Sequence, residues 1–437
     1  MSLLEESKPK TQAFWVTLAL SVYAVLTLGS MASMSIGIGI LLVGLLIAMK
    51  PAGLFHAIRA EFKRPATRLY LFLTLALTLA CAVSLIFAMI HPLSYNGKIP
   101  HVEFLKDMGK AWYFFWPLIL VPALRVLSAE QRKTVLKSWL GAFTVLSAIG
   151  IIQYFTGWPR PQPIPGHAPY YHATLFLGHH LSVASIFIFP FFVALDLLRT
   201  RYFSRKFLLL AVVLGLLALF ATYSRMLWIA LPVGIFLWFL WILPRRWIIV
   251  GLISFSVGIF GLSQLNFIKN RMETSMGITE RTTLWKINVE FFKARPWTGA
   301  GWHHNLELSG FYQEQTAVPG QVIFSGHAHS NFFEVIGSLG IFGLACWLAW
   351  SFYVVALPFR YRNTAEGWFA RGMVCAWIVF QLNGLTQVNF WESKVIHSMM
   401  WMVSWALLWA SENDERIKPV IFAEPATAPG PAAGGEA

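Results

Sequence analysis

Runs of apolar residues long enough to cross a lipid bilayer recur along nearly the whole chain, and that constrains the fold more than any other feature. A helix needs about 20 such residues to span a hydrocarbon core of about 30 Å. Runs of this kind lie near residues 14–29, 31–49, 69–90, 111–124, 138–155, 173–198, 207–223, 226–243, 247–264, 331–358, 368–386 and 395–410. They are continuous rather than alternating every second residue, which favours helices over a barrel. Of 437 residues, 57% are hydrophobic and 12% charged, about half the charged share of a soluble domain. Too few polar residues remain to cover a water-facing surface. The chain reads as an all-α polytopic membrane protein with about 12 transmembrane helices. A second run follows the first almost at once, so the first is read as an uncleaved helix and not as a signal peptide.

The distribution of basic residues orients these helices. With the N-terminus in the cytoplasm, about 22 of the 34 Lys and Arg fall in cytoplasmic loops and tails, as the positive-inside rule requires. The formal net charge of +14 is thereby explained without nucleic acid as a partner, since no basic helix or aromatic-basic platform stands outside the apolar runs. Cys81, Cys346 and Cys375 each lie inside an apolar run, without CxxC spacing, and read as small buried hydrophobes.

One connection breaks the pattern of short loops. Residues 265–330 form a long outer-face segment that carries many charges, and a connection of that length is ordinarily functional. Within it, Arg281 to Lys293 has helical spacing, with Leu284, Ile287 and Phe291 on one side. Pro296 and Gly299 end that helix. An amphipathic helix lying on the membrane surface is expected. The organisation is therefore helices one to nine over 1–264, the large outer loop over 265–330, helices ten to twelve over 331–410, and a disordered cytoplasmic tail over 411–437, rich in Pro, Ala and Gly from about Pro419 onward.

Of the 12 histidines, only His56 falls in a cytoplasmic loop. A lone histidine at a membrane boundary is ordinarily a solvated interface residue, but a cluster on one face beside a long loop invites a functional reading. The sharpest stretch is Ser325-Gly-His-Ala-His-Ser-Asn-Phe-Phe-Glu, where His327 and His329 meet the tenth span. Asn331 with Glu334 suggests an N-cap and capping box. A histidine there feels the positive end of the helix, which keeps it neutral at pH 7 and able to accept a proton from a sugar hydroxyl. Gly337, Gly340 and Gly343 permit close packing of the next turns. Arg225 opens the eighth span at the outer face, where the charge rule disfavours arginine. Such residues are paired or functional, and a guanidinium grips phosphate oxygens in bidentate fashion. The alternative for Arg225 is a snorkelling interface residue, and for Arg281 a solvated helix-face charge.

Several constellations are absent. There is no GxxxxGK[ST] loop, no GxGxxG after a strand, no GxSxG elbow and no HExxH helix. The paired histidines His303-His304 and His327-x-His329 lack the Cys or HExxH companions that a zinc site would need. No metal and no cofactor is expected.

His329-Ser330, nine residues, then Gly340-x-x-Gly343 resembles the histidine signature of bacterial O-antigen ligases. Thr222-Tyr-Ser-Arg225 resembles the span entry that carries the first arginine of that superfamily. Arg281-x3-Trp285, followed by Pro296-x-x-Gly299-x-Gly301, resembles the start of its large periplasmic loop. The resemblance in order and placement covers nearly the whole chain. It implies a GT-C-like glycosyltransferase of the bacterial inner membrane, with both termini cytoplasmic and the site periplasmic. The donor would be an undecaprenyl-pyrophosphate-linked glycan and the acceptor lipid A–core, both embedded in membrane lipid. The reaction would invert the anomeric carbon without metal or nucleotide sugar. Arg225 and Arg281 would hold the pyrophosphate, His329 would deprotonate or orient the acceptor hydroxyl, and His327 would assist in binding. The other readings are an O-antigen polymerase or a protein O-oligosaccharyltransferase of the same superfamily, and outside it a transporter. A transporter predicts ionisable residues in mid-membrane, whereas Asp196, the one acidic residue inside an early span, sits toward the cytoplasm.

Overall fold

A computed structural model describes residues 7–101, 103–264, 277–318, 322–363, 367 and 369–421. Helices α1 (Ser7–Leu26), α2 (Met31–Glu61) and α3 (Pro65–Ile90) come first. A short α4 (Phe104–Asp107) runs into a 3₁₀ helix (Met108–Phe115) and α5 (Pro117–Val126). There follow α6 (Ala129–Thr156), α7 (His180–Leu197), α8 (Arg205–Ala221), α9 (Arg225–Ile242), α10 (Ile248–Ser263), α11 (Ile278–Ala294), α12 (Asn305–Thr316), α13 (Asn331–Tyr361), α14 (Ala370–Asn383) and α15 (Ser393–Ile421). Among the described residues there is no strand, only the isolated bridges Tyr95–Lys98 and Pro163–Tyr171.

The expected apolar runs fall mainly on helix, although the 173–198 run is helical only from His180; among the described residues six helices are long and apolar enough to cross a membrane: α2, α3, α6, α7, α9 and α13. The others are shorter, like α8 and α14, or less apolar, like α15. Burial explains the latter. The first half of α15 is packed on all sides, with Trp401 and Trp405 fully enclosed, so its surface need not suit lipid. Helices α2, α3 and α10 instead turn large apolar side chains outward, among them Ile47, Phe72 and Phe260. Lys50 (φ 57°, ψ 156°), followed by Pro51, breaks α2 where its expected span ends.

Loops expected on the cytoplasmic face gather at one end of the bundle. Arg125 pairs with Glu61 at 2.6 Å and donates to Ser411, while Arg132 pairs with Glu412 at 2.7 Å. Asp196 is fully buried and accepts from Arg199 (2.7 Å), the Trp238 indole (3.0 Å) and the Gly372 amide (2.9 Å). Three donors fix it as a strut that ties α7 to α9 and α14. Helix α15 continues to Ile421, into the stretch expected as tail; residues 422–437 and the loop residues 265–276 and 319–321 lie outside the described ones.

At the other end, α11 and α12 cap the bundle. Helix α11 does present Leu284, Ile287 and Phe291 on one face, but that face does not lie on a membrane surface. It is buried against α13, α12 and Tyr95, so protein contacts consume the apolar stripe. The segment after α3 ties the cap down: Lys98 reaches Glu314 at 2.6 Å, the Asn96 amide donates to Gln315, and Arg295 donates to the His91 carbonyl.

Candidate functional site

The cap and the bundle are joined through a broken helix. Gly340 (φ 65°, ψ −162°) interrupts α13 in a region essentially restricted to glycine. The Pro296–Gly301 segment lies in the gap. Ala300 N–H donates to Gly337 O (2.8 Å), Gly301 N–H to Ser338 O (3.0 Å), and Ile341 N–H to Pro296 O (2.8 Å). Ser84 Oγ adds a bond to Ser338 O at 2.7 Å. Backbone groups released inside a bundle must find such partners. The approach is so close that a Cβ on Gly340 would sit 2.6 Å from the Trp297 carbonyl carbon, and one on Gly299 2.4 Å from that of Ser338. Thus the two glycine patterns seen in the sequence, Pro296-x-x-Gly299-x-Gly301 and Gly340-x-x-Gly343, belong to one joint. It seats α11 on α13, with Trp285 stacked on Phe333 at 5.0 Å.

That joint places Arg281, in the first turn of α11, beside two other expected site residues. Burial and the positive charge of Arg225 both hold the Arg281 pKa below the ordinary arginine value, so the two guanidinium groups are neighbours. Arg225 arrives from a separate turn. Tyr223 adopts a left-handed conformation (φ 59°) and packs against Trp228, and His172 donates its Nδ1 hydrogen to Thr222 O at 3.1 Å. The tight turn aims the first residue of α9 back toward the cap. Glu280, next to Arg281, lies 3.9 Å from His329 Nε2.

His329 also has a left-handed backbone (φ 49°), which a non-glycine residue adopts only when its surroundings impose it. Its amide donates to His327 Nδ1 at 3.2 Å, and the two rings stand 4.2 Å apart. The expected capping box is not formed. Ser330 is the N-cap residue, without a side-chain cap bond, and Asn331 is instead held by Asn389 and Gly384. Glu334 reaches past the cap to accept the Ala328 amide at 2.7 Å, so it fixes the histidine loop. Burial, then the charges of His327 and Arg281, push the His329 pKa down to about 3. Desolvation, with Arg281 close by, thus favours the neutral imidazole.

His327 and His329 form part of the wall of a cavity of about 390 Å³, within the usual range for small-ligand sites. The far wall brings in Lys110, Gln387, Trp391, Glu392 and Lys394, together with His179 and His303. Sequence reasoning did not single out Lys110, Gln387, Trp391, Glu392 or Lys394. The charged pair Glu392 and Lys394 just ahead of the last outer-face span was the available signal. Arg225 and Arg281 do not line this cavity; His329 is the residue common to both groups. His303, considered as half of a zinc pair, faces Lys110, and burial followed by that charge pushes its pKa to about 3. His304 instead faces Asp107 at 3.9 Å. Among the described residues no three His, Cys, Asp or Glu side chains converge as a metal site would.

All four expected site residues, Arg225, Arg281, His327 and His329, fall inside a stretch with recognisable relatives. Residues 210–348 match the family model described as O-antigen ligase. No curated protein matches the chain.

Proposed function

We propose, from the match of residues 210–348 to the O-antigen ligase family model, that the chain is a ligase, transferring a glycan from undecaprenyl pyrophosphate to lipid A–core on the periplasmic face of the inner membrane. The observation that supports this best is the grouping of two neighbouring arginines with a neutral histidine, each delivered by a different element. Arg225 and Arg281 bind the pyrophosphate. The acceptor hydroxyl oxygen attacks the anomeric carbon, the bond from that carbon to the phosphate oxygen breaks, and the electron pair leaves with the pyrophosphate. The guanidinium groups stabilise the negative charge that develops there. His329 takes the hydroxyl proton, and His327, its neighbour, helps to bind the donor. Attack from the side opposite the leaving group inverts the anomeric centre. A base with a pKa near 3 is weak at neutral pH, but a bound pyrophosphate beside His329 raises that value, so the base is strengthened when the donor is present.

A polymerase and a protein O-oligosaccharyltransferase need the same donor grip and differ in acceptor. The test is transfer by purified protein in EDTA from undecaprenyl-pyrophosphate glycan, with core lipopolysaccharide, a second lipid-linked repeat unit or pilin as acceptor. Capped lipopolysaccharide formed by wild type and lost in His329→Ala, Arg225→Ala and Arg281→Ala supports the ligase. Product only with one of the other acceptors refutes it in favour of that sister activity.

A further inference from the structure

The far wall of the cavity is chemically unlike the arginine side. Lys110 and Lys394 face Glu334 and Glu392, so formal charges balance and the wall is not an anion trap. It offers both donors and acceptors. Lys394 uses one donor on Leu177 O at 2.9 Å and retains others. Glu392 accepts from Ser182 and has a second oxygen.

Among the described residues, four buried polar atoms without a partner belong to residues that line this cavity. His303 Nε2, His329 Nδ1, Gln387 Oε1 and Trp391 Nε1 have none, and all four residues line this one cavity. Gln387 is 4% exposed and Trp391 3%. The Gln387 amide is oriented by its Nε2 bond to Ser185 Oγ at 2.6 Å, which leaves its carbonyl as an acceptor. Trp391 is wedged against Trp302 at 4.2 Å and Phe390 at 4.4 Å, so its indole N–H cannot swing away to find water. Unpaired buried donors and acceptors in a native fold ask for an explanation, and hydroxyl groups, which both donate and accept, would satisfy them.

We propose that the wall formed by Lys110, Gln387, Trp391 and Glu392 is a saccharide subsite that holds the hydroxyls of the acceptor sugar. This rests on the glycosyl-transfer reading above. Arg225 and Arg281 lie outside this cavity, whereas His329 lines it. Inversion requires the acceptor hydroxyl to reach the anomeric carbon from the face opposite the pyrophosphate, and the subsite would hold that hydroxyl within the cavity, where His329 is exposed to it.

The test uses the full chain in nanodiscs with Gln387→Leu, Glu392→Gln and Lys110→Met, each checked for an unchanged melting temperature. Transfer is measured against core lipopolysaccharide at saturating donor, and against donor at saturating core. The expected result is an acceptor KM raised roughly tenfold or more with donor KM within about twofold, because unpaired polar groups discriminate strongly for hydroxyls. Donor KM rising instead, or no change in either, overturns the proposal. Binding of delipidated core oligosaccharide, read by saturation-transfer NMR, separates it from the ligase reading. Oligosaccharide bound by wild type and lost in the variants supports the subsite even where no transfer occurs, and absence of binding by wild type overturns the subsite even where transfer proceeds.

Discussion

Gly340→Ala tests whether the broken helix is what positions Arg281. The native backbone at φ 65°, ψ −162° costs a side-chain-bearing residue about 1–3 kcal/mol. The added Cβ would also lie 2.6 Å from the Trp297 carbonyl carbon and 2.7 Å from Pro296 O, closer than van der Waals contact allows, and both are backbone atoms that cannot rotate away. Relief requires the Pro296–Gly301 segment to withdraw. That breaks the Ile341–Pro296 bond and strains the Ala300–Gly337 bond, at about 0.5–1.5 kcal/mol each. The sum is about 2–6 kcal/mol, to be compared with a total stability of about 5–15 kcal/mol. The protein should still insert, but with a lowered melting temperature. Since the segment leads directly out of α11, its withdrawal shifts that helix and Arg281 with it, and a displacement of about 1 Å can cost about 100-fold in rate. The assay is glycan transfer beside thermal unfolding in the same nanodiscs, with Gly258→Ala, where a Cβ meets nothing, as control. Wild-type melting and wild-type transfer by Gly340→Ala would refute the claim that this joint sets the site.

Further outcomes follow from the same geometry. His329→Ala should cut transfer by about 100-fold or more while leaving melting nearly unchanged, since its side chain is 25% exposed; gel-resolved product ladders check this. Arg281→Lys keeps the charge but loses the fork, so transfer should fall by roughly tenfold, less than in Arg281→Ala, measured as kcat/KM for the donor. With a His329 pKa near 3 in the free protein, kcat/KM should show no histidine limb between pH 5 and 8, whereas kcat, which reports the donor complex, should show one displaced upward; an identical limb in both profiles contradicts this. His329 and His303 are neutral when folded, with pKa values near 3 against about 6.5 when unfolded. Between those values the unfolded chain binds more protons, so their contribution is fully present above about pH 6.5 and is lost as pH falls toward 3, which thermal unfolding across that range reads. Asp196→Ala should lower stability by on the order of 3 kcal/mol, because buried indole and amide donors lose their acceptor, without changing acceptor or donor KM.

The helices were legible because the bilayer demands long apolar runs, and the clustering of Glu61, Arg125, Arg132 and Glu412 at one end agrees with the basic-residue bias. Arg225, Arg281 and His329 were legible because each sits at a boundary where a charge or an imidazole is out of place. Helix α12 was not. It is polar, contains Gly310, and has too little apolar periodicity to announce itself; it exists because Leu308 and Gln313 are enclosed by the cap. The role of Glu334 was misjudged, since the i to i+3 spacing suggests a capping box while the fold leads the carboxylate to the Ala328 amide. The break at Gly340 was hidden for a different reason. Glycine at small-residue spacing is read as helix packing, and only its partner segment, some forty residues upstream, turns it into a joint. The far wall of the cavity was invisible because Lys110 and the Gln387–Lys394 group come from distant parts of the chain and are ordinary interface residues until they meet.

The contrast in charge between the two groups that share His329 ties the site's parts into one chemical logic. Two arginines in one group would bind and stabilise a pyrophosphate that must leave with its electrons. A formally balanced wall in the other suits an uncharged, hydroxyl-rich nucleophile. A cationic far wall would draw the pyrophosphate into the acceptor's place, and an acidic arginine side would repel it altogether. Between them, an imidazole surrounded by Arg281, His327 and His179 is held neutral until an anion arrives. The proton acceptor then gains basicity only when the donor is seated. An empty site would thus have a poor base and little tendency to activate water, which would otherwise hydrolyse the lipid-linked glycan. Donor hydrolysis without acceptor should consequently be slow in wild type, and a substitution that raises the His329 pKa in the empty site, such as Arg281→Gln, should lose transfer more than it loses hydrolysis.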